Sequence, residues 1–234
     1  MTPTELHVWR AVLDQPQTVA QRWHDQLAPN EQARAKRFHF ERDRRRFIVA
    51  RGVLRSILAT YLNALPAQLT FDVGAYGKPS LPDQSLQFNM SHSHELAVYA
   101  ITLNQAVGID VEYMLRPVAD IDQLVDRFFS ANESAVYHAL PPDEKHSAFF
   151  RCWTRKEAYI KAIGEGLSHP LDRFDVAFAP DQAPAVLSID GDQAAAQRWS
   201  LFHFESDTDY VGAVAIPGLT WQVTCRSWTD QPPS

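Results

Sequence analysis

Apolar positions recur along the chain at two periods. After a helix start at Pro29-Asn30 they fall at Phe38, Phe47, Ile48, Leu54, Ile57, Leu58 and Leu62, the spacing of one helical face. This pattern predicts a long basic helical segment, broken once near Phe40. Further helix is predicted in the 120s and 130s. After a break at Pro141-Pro142-Asp143, a second long helix over residues 147–164 ends at Gly164 and Gly166. Strand-length runs occupy 69–73, 96–101, 107–112, 174–178, 199–204, 210–216 and 221–227. Tyr76-Gly77-Lys78-Pro79 and Leu81-Pro82-Asp83 carry turn chemistry, and a hairpin loop at Asn104-Gln105 is expected to join the second and third runs.

These elements repeat. Residues 94–101 are echoed by 209–216, each followed by a short turn and one more strand. The long helices align with Phe47 on Trp153, Arg51 on Glu157, Leu54 on Ile160 and Arg55 on Lys161. Helix plus antiparallel strands, twice, predicts an α+β fold of two similar halves, 1–105 and 106–234, with room for a shared site between them. The competing explanation is that any two amphipathic helices and hairpins align passably.

With 234 residues, 45% of them hydrophobic and 21% charged, the chain has the composition of an ordinary globular protein, which excludes collagen-like, coiled-coil and largely disordered classes. No apolar run approaches the roughly 18 to 20 residues that cross a bilayer, and the N-terminal residues lack the pattern of a secretory signal, so a cytoplasmic address is expected. Cys152 and Cys225 are too few for a disulfide framework or a cysteine zinc site. Any metal must therefore be held by oxygen. The net charge of -6 conceals polarity, because residues 34–51 carry eight Lys or Arg against only Glu41 and Asp43.

Three acids stand out by placement. In Val107-Gly-Ile-Asp110-Val-Glu112 the strand period puts both carboxylates on one face. Side by side they repel, a cost that a hard cation such as Mg²⁺ offsets; two ordinary surface acids on an edge strand are the alternative. In the second long helix, Trp153, Glu157 and Lys161 share one stripe. An exposed Glu–Lys pair is worth only about 0.3 to 0.5 kcal/mol, but a Trp on the same stripe points inward and carries its neighbours toward a semi-buried surface. Arg34, Arg37, Arg45, Arg46 and Arg51, with Lys78, Ser91 and His92, are candidates to hold phosphate oxygens, though singly an arginine is more often a solvated surface charge and a histidine a satisfied structural one. Neither a P-loop, a dinucleotide fingerprint nor a Gly-x-Ser-x-Gly elbow occurs.

Together these residues resemble the 4'-phosphopantetheinyl transferases of the surfactin-synthetase-activating type. The likeness lies in Gly108-Ile-Asp110-Val-Glu112, in Trp153-Thr-Arg-Lys156-Glu157-Ala-Tyr-Ile-Lys161 with Gly164-Glu-Gly166, in Tyr76-Gly-Lys78-Pro79, in Phe88-Asn-Met-Ser91-His92-Ser93 and in Arg127-Phe-Phe-Ser130. It implies two halves about a pseudo-twofold axis, with coenzyme A and Mg²⁺, or Mn²⁺, bound between them. It also implies an acyl or peptidyl carrier protein as the partner whose serine is modified. By matching positions Asp110, Glu112 and Glu157 are the expected metal ligands. Lys161 is expected at the phosphates, Ser91 and His92 at the nucleotide phosphates, and Lys78, Arg46 and Arg34 around the adenosine end. Glu157, or a metal-bound water near Glu112, is the expected proton acceptor. Glu31 and Phe47 depart from the family, which often has a basic and a small polar residue there. An internally duplicated chain needs no second copy, so a monomer is expected. The rival readings are a non-catalytic relative that binds carrier protein or coenzyme A, and a nucleic-acid-binding protein using residues 34–51, which the pI of about 5.8 disfavours.

Overall fold

The computed structural model describes residues 1–83, 85–206 and 209–229. In chain order it comprises β1 (Glu5–Val12), α1 (Gln17–His24), α2 (Pro29–Ala35), α3 (Glu41–Leu62), β2 (Asp72–Val73), β3 (Pro79–Ser80), β4 (Leu86–Ser93), β5 (Leu96–Leu103) and β6 (Gly108–Tyr113). There follow α4 (Ile121–Phe128), α5 (Ala131–Ala139), α6 (Pro142–Ile163), β7 (Phe174–Val176), β8 (Val186–Ile189), α7 (Gln193–Ala196), β9 (Trp199–Ser206), β10 (Tyr210–Pro217) and β11 (Gln222–Ser227).

Four layers stack in the order helix, sheet, sheet, helix. One face of the sheet β11-β1-β5-β4 carries Ala97, Tyr99 and Ile101, buried with Val53, Leu54 and Ile57 of α3. The other face, with Leu6, Val8, Val98 and Ala100, meets Ile109, Val111 and Val214 of the sheet β6-β10-β9. Beyond that sheet, Val211, Ala213 and Ala215 pack on Phe149, Ala158 and Ile160 of α6. The central strands β5 and β10 thus divide their alternate residues between two apolar layers, the behaviour of strands buried on both faces. The α+β fold predicted from the repeat is present, with one 22-residue helix packed on each of the two sheets.

Three expectations need correcting. Residues 96–101 and 107–112 form no hairpin: β5 pairs with β1 and β4, whereas β6 pairs with β10 in the other sheet. The run 69–73 shrinks to the two-residue β2, because Leu69 is spent closing a 3-10 turn and its carbonyl accepts from Arg55. The second long helix starts at Pro142, five residues before the expected Ser147, since proline lacks only an N–H that the first turn leaves unpaired anyway. After β10 the chain crosses back, and β11 pairs in parallel with β1 in the first sheet.

Candidate active site

Gly108 decides how closely α6 can approach β6. A Cβ there would stand 2.0 Å from the Ala158 carbonyl oxygen and 2.3 Å from the Ala162 nitrogen, so only glycine lets the helix backbone cross the strand. Asp110, two residues along, consequently faces Glu157 and Lys161, which lie one turn apart on α6. The Lys161 ammonium donates to Asp110 Oδ1 at 2.6 Å and to Ser91 Oγ at 3.0 Å, and Ser91 donates to the same carboxylate oxygen at 2.7 Å. Glu112 accepts from Ser93 at 2.8 Å and from Arg116 at 3.1 Å. Burial raises the Glu157 carboxyl to about 7, with the charges of Asp110 and Glu112 adding to it and Lys161 opposing. Glu112 is raised as well, by burial first and then by Asp110. Three carboxylates and one ammonium therefore share one field.

The basic residues border the same place. His92 lies open at the cleft, but enough protein surrounds its ring that desolvation lowers its pKa, helped by Lys161, Arg34 and Arg46. The Lys78 amine turns inward, donating to the carbonyls of Val107 at 3.0 Å and Lys161 at 2.6 Å, and burial lowers it to about 8. It lines a hollow of about 240 Å³ with Tyr76, Asn89, Glu157 and Gly164. Arg46 is held by both oxygens of Asp14, at 2.6 and 2.7 Å. A second, open hollow of about 500 Å³ is lined by Asn30, Arg34, Arg37 and Phe38.

Two models of known families match the chain in series: "4'-phosphopantetheinyl transferase, N-terminal" over residues 9–104, and "4'-phosphopantetheinyl transferase superfamily" over 106–215. The 4'-phosphopantetheinyl transferase HetI of Nostoc sp. is 43% identical over 93% of this chain and 90% of its own length. This chain belongs to the 4'-phosphopantetheinyl transferases. The Sfp transferase of Bacillus subtilis is 30% identical over 75% of the chain and 78% of its own. A holo-(acyl-carrier-protein) synthase of Bacillus anthracis, solved with coenzyme A (3',5'-ADP), overlays 48% of this chain and 94% of its own, at 20% identity and a TM-score of 0.38.

The two departures from the family pattern have structural explanations. The Glu31 carboxylate turns away from the cleft into α3, where Arg51 reaches it at 2.6 Å and Arg55 at 2.7 Å. Phe47 lies 5.2 Å from the Phe38 ring and beneath the Arg34 guanidinium, whose carbon is 5.3 Å from its centroid, so it orients a cation in place of a hydroxyl. Sequence reading assigned no role to Asp14 and Ser93, whose side chains reach Arg46 and Glu112, or to Asn89, whose side chain holds the backbone of β6 beside Asp110. Only the alternation Asn89-x-Ser91-x-Ser93 signalled any of them. It also assigned no role to Lys156, next to Glu157. That ammonium points the opposite way, wholly buried against Glu133 at 2.7 Å and the carbonyls of Leu171 and Phe174.

The oxygen donors fit a hard divalent cation. Asp110 Oδ2 is buried with no hydrogen-bond partner, and Glu157 is raised in the way that a nearby dication reverses. Among the described residues no three acids, histidines or cysteines stand together as a ready-made cage, and the Lys161 ammonium holds the other oxygen of Asp110.

Proposed function

We propose that this transferase moves the 4'-phosphopantetheine group of coenzyme A onto a serine hydroxyl of an acyl or peptidyl carrier protein, releasing 3',5'-ADP. The observation that carries the proposal is the convergence of Asp110, Ser91 and Lys161 within hydrogen-bonding distance, with Glu157 and Glu112 coupled to them electrostatically. In this reading residues 1–105 take the nucleotide end of coenzyme A, and 106–234 supply the acids.

The reaction forms a bond from the serine oxygen to the β-phosphorus and breaks the bond from that phosphorus to the oxygen bridging it to the α-phosphate. Asp110, Glu112 and Glu157 would hold Mg²⁺, or Mn²⁺ with the same donors, and the ion would neutralise charge on the pyrophosphate and the departing 3',5'-ADP. Lys161 neutralises the same oxygens from α6, Ser91 and His92 stand at the nucleotide phosphates, with Ser91 holding Asp110, and Arg34 and Arg46 border the nucleotide, while Lys78 lines the hollow beneath it with its amine on backbone carbonyls. Glu157 takes the serine proton. Its carboxyl is raised by burial in the ligand-free protein, a shift that a bound dication would reverse, so the role rests on its place beside Asp110 and Lys161. Positioning and charge neutralisation supply most of the rate.

The basic turns of residues 34–46 are the docking face we favour for a carrier protein acidic around its serine. The apolar face of α4, a second candidate for docking, is largely occupied: Val125 is fully buried, and Ile121, Leu124 and Phe128 pack on the same core. Among the described residues no helix is long and apolar enough to cross a membrane. We place the enzyme in the cytoplasm as a monomer.

Incubation with coenzyme A, Mg²⁺ and unmodified carrier protein, followed by mass spectrometry, tests the reading. The carrier gains one phosphopantetheine with the wild-type protein and none with Glu157→Gln or Asp110→Ala. A normal mass gain with either folded variant would overturn the assignment, and binding without transfer by the wild type would favour a non-catalytic relative.

A further inference from the structure

Strands β4 and β6 run side by side without backbone pairing, since β4 pairs with β5 and β6 with β10. Side chains of β4 join them instead. Asn89 Oδ1 accepts from the Ile109 amide at 2.9 Å, and Ser91 donates to Asp110. Ser93 Oγ donates to Glu112 Oε2 at 2.8 Å and accepts from the Tyr113 amide at 3.0 Å. One residue further, the His94 ring stacks on Tyr113 with centroids 4.5 Å apart and an interplanar angle of 16°. Asn89, Ser91 and Ser93 meet Ile109, Asp110 and the Glu112-Tyr113 pair in turn, both strands advancing in the same direction, so the spacing Asn-x-Ser-x-Ser does the work of a parallel ladder.

Within this seam Ser93 alone binds both a proposed metal-ligating carboxylate and the backbone beside it. Its loss would leave the Tyr113 amide unpartnered and Glu112 tied only to Arg116, whose half-open guanidinium would draw the carboxylate toward solvent. Groups that hydrogen-bond a ligating carboxylate set its orientation, and removing them typically costs about 10- to 100-fold in metal affinity.

We propose that Ser93 is a positioning residue for the transfer, acting through Glu112, with Asn89 fixing the register of β6 against β4. The proposal rests on the reading of Asp110, Glu112 and Glu157 as metal ligands. Mn²⁺ binding in the presence of coenzyme A, followed by the electron paramagnetic resonance signal of the free ion, tests it without turnover. Ser93→Ala is expected to weaken Mn²⁺ binding about 10-fold and to raise by a similar factor the Mg²⁺ needed for half-maximal transfer. The KM for coenzyme A at saturating Mg²⁺ should move less than about twofold, since Ser93 touches no proposed nucleotide contact. Ser93→Thr, which keeps the hydroxyl, should restore both. Should Ser93→Ala fail to fold, Ser93→Cys, of similar size but a weak donor, is expected to show the same shift. Unchanged Mn²⁺ affinity in Ser93→Ala, alongside a clear loss in Asp110→Asn, would overturn the role of Ser93 alone. No Mn²⁺ binding by the wild type would overturn the metal reading and the proposal together.

Discussion

The helix that presents Glu157 and Lys161 is anchored from behind by one buried ion pair, and Lys156→Met tests what that anchor is worth. All three protons of the Lys156 ammonium are used: on Glu133 Oε2 at 2.7 Å, on the Leu171 carbonyl at 2.7 Å and on that of Phe174 at 2.6 Å. Glu133 in turn accepts from the amides of Ser130 at 2.9 Å and Val176 at 2.8 Å, tying α5 and β7 to α6. Methionine fills much of the volume but strands the carboxylate among those amides. Removing one partner of a fully buried pair costs about 3 to 5 kcal/mol. At about 2 to 4 °C per kcal/mol for a chain of this size, Tm should fall by on the order of 10 °C. The double variant Glu133→Gln/Lys156→Met removes the stranded charge but keeps an acceptor for only one of the two amides, since these donate to different oxygens of Glu133, and should recover part of the loss. The pH dependence has a definite sign. Burial raises the Glu133 carboxyl even with Lys156 present, and without it the carboxyl rises further. A raised carboxylate contributes stability that is present at low pH and lost as pH rises through its folded value, so the deficit of Lys156→Met should be smaller at pH 5 than at pH 8. Urea unfolding of wild type, single and double variants at both pH values measures this. A Tm within about 2 °C of wild type, or a deficit independent of pH, would refute the reasoning.

Gly108→Ala should be more damaging than any surface change, because the added carbon meets helix backbone that cannot rotate aside; a soluble variant with wild-type Tm and activity would contradict the close crossing of β6 and α6. Lys78, lowered by burial to about 8, is charged in the unfolded chain up to about pH 10.5 and in the folded chain only below about 8. Its contribution therefore grows as pH rises between those values. The stability difference between wild type and Lys78→Met should widen from pH 8 to pH 10, and a constant difference in chemical denaturation would refute it. Asp14→Asn frees Arg46 from a bidentate partner; coenzyme A binding by calorimetry should tighten severalfold, and weaker binding would mean that Asp14 orients Arg46 for its ligand. Chelation with EDTA should abolish transfer and excess Mg²⁺ restore it, whereas full activity in EDTA would remove the ion from the mechanism.

What could be read from the sequence followed from local periodicity. Asp110 and Glu112 share a strand face and Glu157 and Lys161 a helix stripe, so two spacings predicted two surfaces, and the family resemblance implied that they meet. Nothing local could reveal that β6 leaves the sheet of β5, because the alternative hairpin across Asn104-Gln105 satisfies the same short-range rules. The reason appears only in three dimensions: Gly108 must lie under α6, and Ile109 and Val111 must fill the layer between the sheets. The pairing of β1 with β11 joins positions as far apart as Arg10 and Ser227 and leaves no short-range mark.

The overlooked strand β4 has a different cause. Leu86, Phe88 and Met90 belong to the core under α3, but Asn89, Ser91 and Ser93 on the opposite face give the run the polarity of a loop. That polarity is required where the strand lies, since the face meets carboxylates and a backbone edge from the other half. Lys156 was passed over for the same kind of reason, because a lysine beside a glutamate in a helix reads as solvated until Glu133, 23 residues earlier, is placed against it. In both cases a polar residue at a buried position is matched by polar groups from distant parts of the chain. Asn89, Ser93 and Lys156 are the ones whose removal should change the geometry of the site without removing any group that touches the substrate.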